Sequence, residues 1–227
     1  MAGARDTQWL RSLWNAGIAS ARMLGWSGAE LDVDVLLARA ARATGLSDFG
    51  DPGFREPLAL LVDGLAASAH ADASGRQFLA GFIGCALENR LRIVAAEHAH
   101  PDIAGVPVAA PFVIVGLPRT GTTLLQTALA AVPGLRTLLN WETRLPAQLP
   151  ALLTPREIAQ HRARVAREIR FVNWLSPALA GSHEVGADAA EECNGLLLIA
   201  MQSQLLALFA GARYEDSLYA SAFRGAY

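Results

Sequence analysis

Pro111-Phe-Val-Ile-Val-Gly-Leu-Pro-Arg-Thr-Gly-Thr-Thr123 is the stretch on which the reading of the fold turns. Phe112 to Val115 form a mostly β-branched apolar run followed by turn residues, the pattern of a parallel strand buried on both faces. Gly116 to Gly121 is then a glycine-bracketed loop, and Thr122 opens a helix. The first turn of a helix leaves backbone N–H groups unpaired and carries a partial positive charge, so strand, glycine loop and helix in that order make a cradle for an anion. A phosphate group is the expected guest. The spacing is that of a P-loop, GxxxxG followed by two hydroxyl residues, but Thr122 stands where a nucleoside triphosphatase carries its lysine. The chain contains no lysine, and all 19 of its basic residues are arginine. Without an amine to reach the outer phosphates, magnesium-triphosphate chemistry is disfavoured, and the loop draws its charge from Arg119.

Pro118-Arg119-Thr120-Gly121-Thr122-Thr123 resembles the 5'-phosphosulfate loop of the sulfotransferases that use 3'-phosphoadenosine 5'-phosphosulfate (PAPS), in particular the bacterial and mycobacterial group with a helical N-terminal extension. Asp51-Pro-Gly-Phe-Arg-Glu-Pro57, Asn89-Arg-Leu-Arg92 and His100-Pro-Asp-Ile103 resemble segments that precede the loop in the same group, so the resemblance covers nearly the whole chain. It implies an α/β fold, a P-loop-type parallel sheet preceded by an α-helical region. It also implies transfer of a sulfonate group from PAPS to an acceptor hydroxyl, with no metal. Arg119, Thr120, Gly121, Thr122 and Thr123 would hold the 5'-phosphosulfate, and Arg119 would offset charge as the bond to the leaving phosphate breaks.

The 227 residues suffice for one large domain or two small ones, and a hydrophobic content of 52% supports a sizeable core. A net charge of −2 gives no electrostatic reason to expect a nucleic-acid partner. Two cysteines, Cys85 and Cys193, are too few for a disulfide framework and fit a reducing cytoplasm. Met1 to Gly25 lacks the charged start, apolar stretch and small-residue cleavage site of a signal peptide. The longest apolar run, Leu196 to Met201, is far short of the roughly 20 residues that span a bilayer.

Residues 6 to 100 read as helices. Trp9, Leu10, Leu13, Trp14 and Ile18 recur at helical spacing and give a first helix one apolar stripe. Ser27-Gly-Ala-Glu30 has the form of a capping box, and Gly45 is placed to end the helix that it starts. A third helix is expected near Phe54 with Leu58, Leu61, Val62 and Leu65. Ser74-Gly-Arg-Gln77, a second capping box, opens a long helix through Phe78, Phe82, Leu87, Leu91 and Val94 that ends near Pro101. His98 and His100 have no cysteine or acidic cluster at ligand spacing, so no metal site is expected. Gly105 to Ala110 is the boundary, which divides the chain into a helical cap over 1–108 and the start of a sulfotransferase-like domain over 109–227.

Past the loop, Leu124, Leu125, Ala128 and Leu129 give the helix a face to bury, and Pro133-Gly134 stops it. Arg136 to Leu139 is a second strand candidate, followed by Asn140-Trp-Glu-Thr-Arg144. A helix of about ten residues climbs roughly 15 Å from the loop, and a short turn with a strand of about five residues returns about as far. Glu142 and Arg144 are therefore expected at the carboxyl edge of the sheet, where open α/β sheets bind ligands. A carboxylate and an arginine beside a phosphate cradle suit acid–base and charge-stabilising roles. Glu142-Thr-Arg144 also resembles the element that follows the loop in tyrosylprotein sulfotransferases, which implies that Glu142 is the general base and Arg144 a substrate-binding residue. The plainer alternative is an exposed glutamate paired with Arg144.

Thr154-Pro-Arg-Glu157 is a strong helix start, and Ile158, Val165, Ile169 and Val172 supply the buried side of that helix. Arg156, Arg162, Arg164, Arg167 and Arg170 crowd the rest of it as a solvated face. His183 lies in a glycine-flanked loop, and Asp188-Ala-Ala-Glu191 caps a last long helix through Leu196, Leu197, Leu205 and Leu208. Glu191-Glu192-Cys193, preceded by His183, resembles a recurring segment of the same bacterial group, which brings His183 forward as a catalytic candidate and Glu192 as a substrate contact. A capping role for Glu191 and a bystander histidine are the alternatives.

Only two strands are evident after the connector, whereas a P-loop sheet normally has four or more. The 3'-phosphate site of the PAPS enzymes lies in sequence that would follow Tyr227, so a fragment or truncated product is expected, one that holds the cofactor poorly. The acceptor alcohol is left open among small molecules, lipids and glycans. Two competing readings are a divergent P-loop kinase and a catalytically dead helical interaction module.

Overall fold

The computed structural model describes residues 8–24, 30–67, 73–107, 111–116, 120–145, 153–175, 186–210 and 213–218. These fall into two compact units, Met1–Ala95 with Leu196–Tyr227, and Ala96–Gly195. Among the described residues no helix is long and apolar enough to cross a membrane, and no group of three or more His, Cys, Asp or Glu side chains is placed to hold a metal ion.

The first unit is helical. Helix α1 (Gln8–Met23) carries the expected stripe, but of its described members only Ile18 is buried, and Trp9, Leu13 and Trp14 face solvent. Helix α2 spans Val33–Thr44. It starts later than the Ser27 capping box implies, because Asp32 supplies the cap, its Oδ1 accepting the Val35 N–H at 3.0 Å. Gly45 ends the helix as expected, donating to the Ala41 carbonyl at 2.9 Å. The Asp51-Pro-Gly turn is a single 3-10 turn, Pro52–Phe54, closed by the Gly53 N–H on Asp51 Oδ1. It leads into α3 (Arg55–Ala67), whose Leu58, Leu61, Val62 and Leu65 are buried as their spacing demands.

Helix α4 (Ala73–Ala99) contributes Leu79, Ile83, Leu87 and Leu91 to the same core. Each such fully buried leucine stabilises by about 1.5–3 kcal/mol. Arg90 explains why the polar residues around it matter. Its Nε donates to the Phe49 carbonyl at 2.6 Å, its Nη2 to the Asp51 carbonyl at 2.6 Å, and its guanidinium lies 4.2 Å above the Phe54 ring. The Asp51 and Asn89-to-Arg92 motifs are thus two sides of one structural clamp.

The expected last long helix is instead broken. Helix α8 (Asn194–Leu197) passes into a 3-10 turn, Leu198–Ala200, and α9 (Gln204–Ala210) starts afresh. The break is a helix-ending Schellman turn. The Gln202 N–H reaches the Leu197 carbonyl at 3.0 Å and the Met201 N–H the Leu198 carbonyl at 3.0 Å, with Met201 left-handed at φ 56°. Buried Tyr214, in a helix over 213–218, donates its hydroxyl to the Met201 carbonyl at 2.7 Å and holds the turn.

Helices α3 and α9 pack with Gly64 against the α9 backbone, where a Cβ would land on the Ala210 carbonyl. Gly64→Ala is therefore expected to force the helices apart and to cost about 1–3 kcal/mol, read as a lower melting temperature.

The second unit departs most from expectation. Among its described residues there is no strand; the single pairing is an antiparallel bridge between Leu139 and Ala190. Residues 111–116 carry no regular secondary structure and join no ladder, and Phe112, Val113 and Val115 are 77%, 75% and 88% exposed. A buried parallel strand requires neighbours on both edges, and the other candidate, Arg136 to Leu139, spends its one bridging position on Ala190. Helix α5 (Thr122–Ala130) likewise buries none of its residues, with Leu124 and Leu125 facing outward. The core of this unit is instead Trp141 against Val165 and Ile169 of α7 (Pro155–Leu175).

Helix α7 starts as the sequence predicts. Glu157 Oε2 accepts from the Thr154 N–H at 2.8 Å and its hydroxyl at 2.6 Å. Those bonds, the hydroxyl's first, hold the Glu157 carboxyl below the usual carboxylate range. The cap is therefore strongest above that range and fades as pH falls through the lowered value. On the crowded face, Arg162 pairs with Asp188 at 2.6 Å and Arg164 with Glu168 at 3.0 Å.

Candidate functional site

The glycine loop is positioned by α5. Gly121 immediately precedes the helix at φ 89°, a left-handed conformation open to glycine, and among the described residues no side chain caps the first turn. The N–H groups that open α5 are therefore left for a ligand or solvent. At the other bracket, a Cβ on Gly116 would lie 2.8 Å from Thr120 Oγ1 and 2.8 Å from Thr122 Cγ2, so a larger residue there would press the loop open. Thr120 and Thr123 are exposed and Thr122 is half-buried. Arg119 and His183 lie outside the described residues.

Three segments of this unit are tied together by hydrogen bonds. Gln126 of α5 donates through Nε2 to Thr137 Oγ1 at 2.6 Å and to the Glu191 carbonyl at 3.0 Å. The 186–191 segment in turn bonds to the chain leading into α6 (Asn140–Arg144). Glu191 N–H meets the Leu138 carbonyl at 2.9 Å, and the Asn140 and Trp141 N–H groups meet the Ala189 and Ala187 carbonyls, each at 3.0 Å. The loop-bearing helix, the Glu142 segment and the Glu191 segment are thus one assembly. Gln126 gave no motif signal, being a lone polar residue on an apolar helix.

Asn140 to Arg144 form a short helix directly after the Arg136 to Leu139 segment, and this turns Glu142 and Arg144 apart. Residues two apart on a helix do not face each other. Arg144 Nε turns to Asn140 Oδ1 at 3.3 Å, and Glu142 pairs with Arg136 at 2.8 Å. Oε2 of Glu142 also accepts the Leu139 N–H at 2.9 Å, fixing the start of α6. Glu142 is the more enclosed partner, 10% exposed against 62% for Arg136. The plainer alternative, a Glu142–Arg144 ion pair, does not form: Glu142 pairs with Arg136, which lies ahead of the helix.

Asn140 and Trp141 are buried, and among the described residues Asn140 Nδ2 and Trp141 Nε1 have no hydrogen-bond partner. Glu192 is exposed and accepts from Asn194 Nδ2 at 3.2 Å. Glu191 Oε1 accepts the Glu192 N–H at 3.1 Å, a local turn bond and not the cap of a long helix.

Residues 111–220 match the family model described as Sulfotransferase family. No curated protein sequence matches the chain. Among solved structures, the chain is similar to the sulfotransferase STF1 from Mycobacterium tuberculosis H37Rv, at 30% identity and a TM-score of 0.68 over 82% of this chain and 52% of that one. It is also similar to the sulfotransferase STF9 from Mycobacterium avium, at 29% identity and a TM-score of 0.66 over 82% of this chain and 48% of that one. The chain spans about half the length of each. The glycine loop, α5 and the Glu142 segment all fall inside residues 111–220, the region that matches the sulfotransferase family model.

Proposed function

We propose that the chain carries the donor loop and base of an enzyme that transfers a sulfonate group from PAPS to an acceptor hydroxyl. The observation that carries this reading is the uncapped start of α5 behind Gly121, inside the stretch that matches the sulfotransferase family. The loop from Arg119 to Thr123 holds the 5'-phosphosulfate through backbone amides and the threonine hydroxyls, as the strand end and helix start of a P-loop-type sheet. Arg119 offsets the charge that grows on the phosphate oxygen as the S–O bond breaks. Glu142 takes the proton of the acceptor hydroxyl, whose oxygen forms the new bond to sulfur in line with the departing phosphate, and 3',5'-bisphosphate (PAP) leaves. A transferring sulfonate carries less charge than a phosphoryl group, so amides and one arginine suffice without a metal.

Arg144 and Glu192 contact the acceptor in this scheme, a small-molecule, lipid or glycan alcohol, and His183 assists at the reacting centre. Residues 1–108 are an α-helical region, and 109–227 carry the chemistry. Exposed thiols at Cys85 and Cys193 suit the reducing cytoplasm in which we place the chain.

The test is a melting experiment with PAP. At a hundredfold excess over Kd, binding adds about 2.7 kcal/mol, or about 5–10 °C for a chain of this size. That rise is expected for the parent and absent from Arg119→Ala. No rise with PAP would sink the proposal, and a rise with magnesium-ATP that PAP cannot displace would turn the reading toward a kinase.

A further inference from the structure

The two hydrogen bonds that hold Glu142 both fall on one oxygen. Oε2 accepts the Leu139 N–H at 2.9 Å and Arg136 Nη2 at 2.8 Å. Among the described residues Oε1 has no hydrogen-bond partner, and it is not among the buried unpartnered atoms. The carboxylate therefore has one anchored and one available oxygen. A glutamate's terminal torsion is broad and nearly two-fold, so an unanchored carboxylate swaps its oxygens and swings through a wide arc. The Leu139 amide alone leaves rotation about the accepted bond, and a second donor at a different angle removes it.

We propose that Arg136 is a positioning residue for the transfer reaction. With the Leu139 N–H it pins Oε2, so that Oε1 is the oxygen that receives the acceptor's proton. The inference rests on the reading of Glu142 as the base. It assigns Arg136 no contact with PAPS or acceptor. The proton passes from the acceptor oxygen to Oε1 as that oxygen bonds to sulfur, and Arg136 neither gains nor loses a proton.

The test compares Arg136→Gln, Arg136→Lys and Glu142→Gln in the full chain. Arg136→Gln is expected to lower kcat about tenfold to a hundredfold, since small misplacements of a reacting group carry penalties of that size. KM for the acceptor and the affinity for PAP stay with the parent. Arg136→Lys, which restores one charged donor without the planar fork, recovers part of the loss. A readout independent of turnover is amide hydrogen exchange at Leu139, expected to quicken in Arg136→Gln and slow again in Arg136→Lys. An exposed arginine contributes little to fold stability, so the melting temperatures are expected to coincide.

Parent-like kcat in Arg136→Gln, with Glu142→Gln dead, would overturn the positioning role and leave the base standing. Unchanged exchange at Leu139 would also overturn it, by showing that Oε2 is held without the arginine. A rise in KM for PAPS would make Arg136 a donor contact instead. Full activity in Glu142→Gln would remove the base, and this inference with it.

Discussion

Glu142→Gln is expected to lower turnover by about 10²- to 10⁴-fold while leaving PAP binding nearly intact. The substitution keeps shape and one acceptor oxygen, so the Leu139 N–H retains its partner and α6 its start. What is lost is the charge facing Arg136 and the ability to take a proton. The ion pair joins a largely exposed arginine to an enclosed carboxylate, and removing it is expected to cost about 1 kcal/mol or less. Melting temperature therefore separates a chemical defect from a folding defect. Steady-state kinetics with PAPS, alongside titration with PAP, make the measurement. Retained turnover would strip Glu142 of its role, whereas loss of PAP binding would show that the residue serves the cradle instead.

Tyr214→Ala is expected to be the most damaging single change to stability, costing about 3–5 kcal/mol. Domains of this kind hold only about 5–15 kcal/mol in all. The ring is fully buried in the core of the first unit, among the leucines of α3 and α4, and its hydroxyl ties down a turn whose non-glycine residue is left-handed. Tyr214→Phe keeps the packing and removes the donor from the Met201 carbonyl, for an expected loss of about 1–3 kcal/mol. A pH signature accompanies it. Burial raises the Tyr214 hydroxyl well above its ordinary value of 10.0, and the bond to the Ser203 carbonyl offsets only part of that rise. Because the folded value exceeds the unfolded one, the contribution is whole below pH 10.0 and is lost as pH climbs through the folded value. Denaturant midpoints on either side of pH 10.0 should fall for the parent and fall less for Tyr214→Phe. Equal alkaline losses in both would show that the hydroxyl is not the titrating group.

Local signals were the legible ones. Leu58, Leu61, Val62 and Leu65 announce α3 by spacing alone, and Thr154 with Glu157 announces the start of α7, because both depend on neighbours within one turn. The glycine loop was legible for the same reason, and it lies in the region that matches the sulfotransferase family model. What sequence could not supply were contacts between distant segments. Nothing near Arg136 marks it as the partner of Glu142, since the pairing needs the chain to turn between them. Arg144 is the nearer arginine in sequence, but two residues apart on a helix it and Glu142 do not face each other. The break at Met201 was hidden because a left-handed helix end normally shows a glycine. The buried strand over 112–115 failed for a different reason: apolar content states that a segment seeks cover, not that cover is present.

That last segment has a consequence of its own. Phe112, Val113 and Val115 face outward in a segment that joins no ladder among the described residues, so their apolar surface is uncovered by any of them. Gly116 follows it directly, so whatever docks along 111–116 also sets the angle at which the chain enters the phosphate cradle.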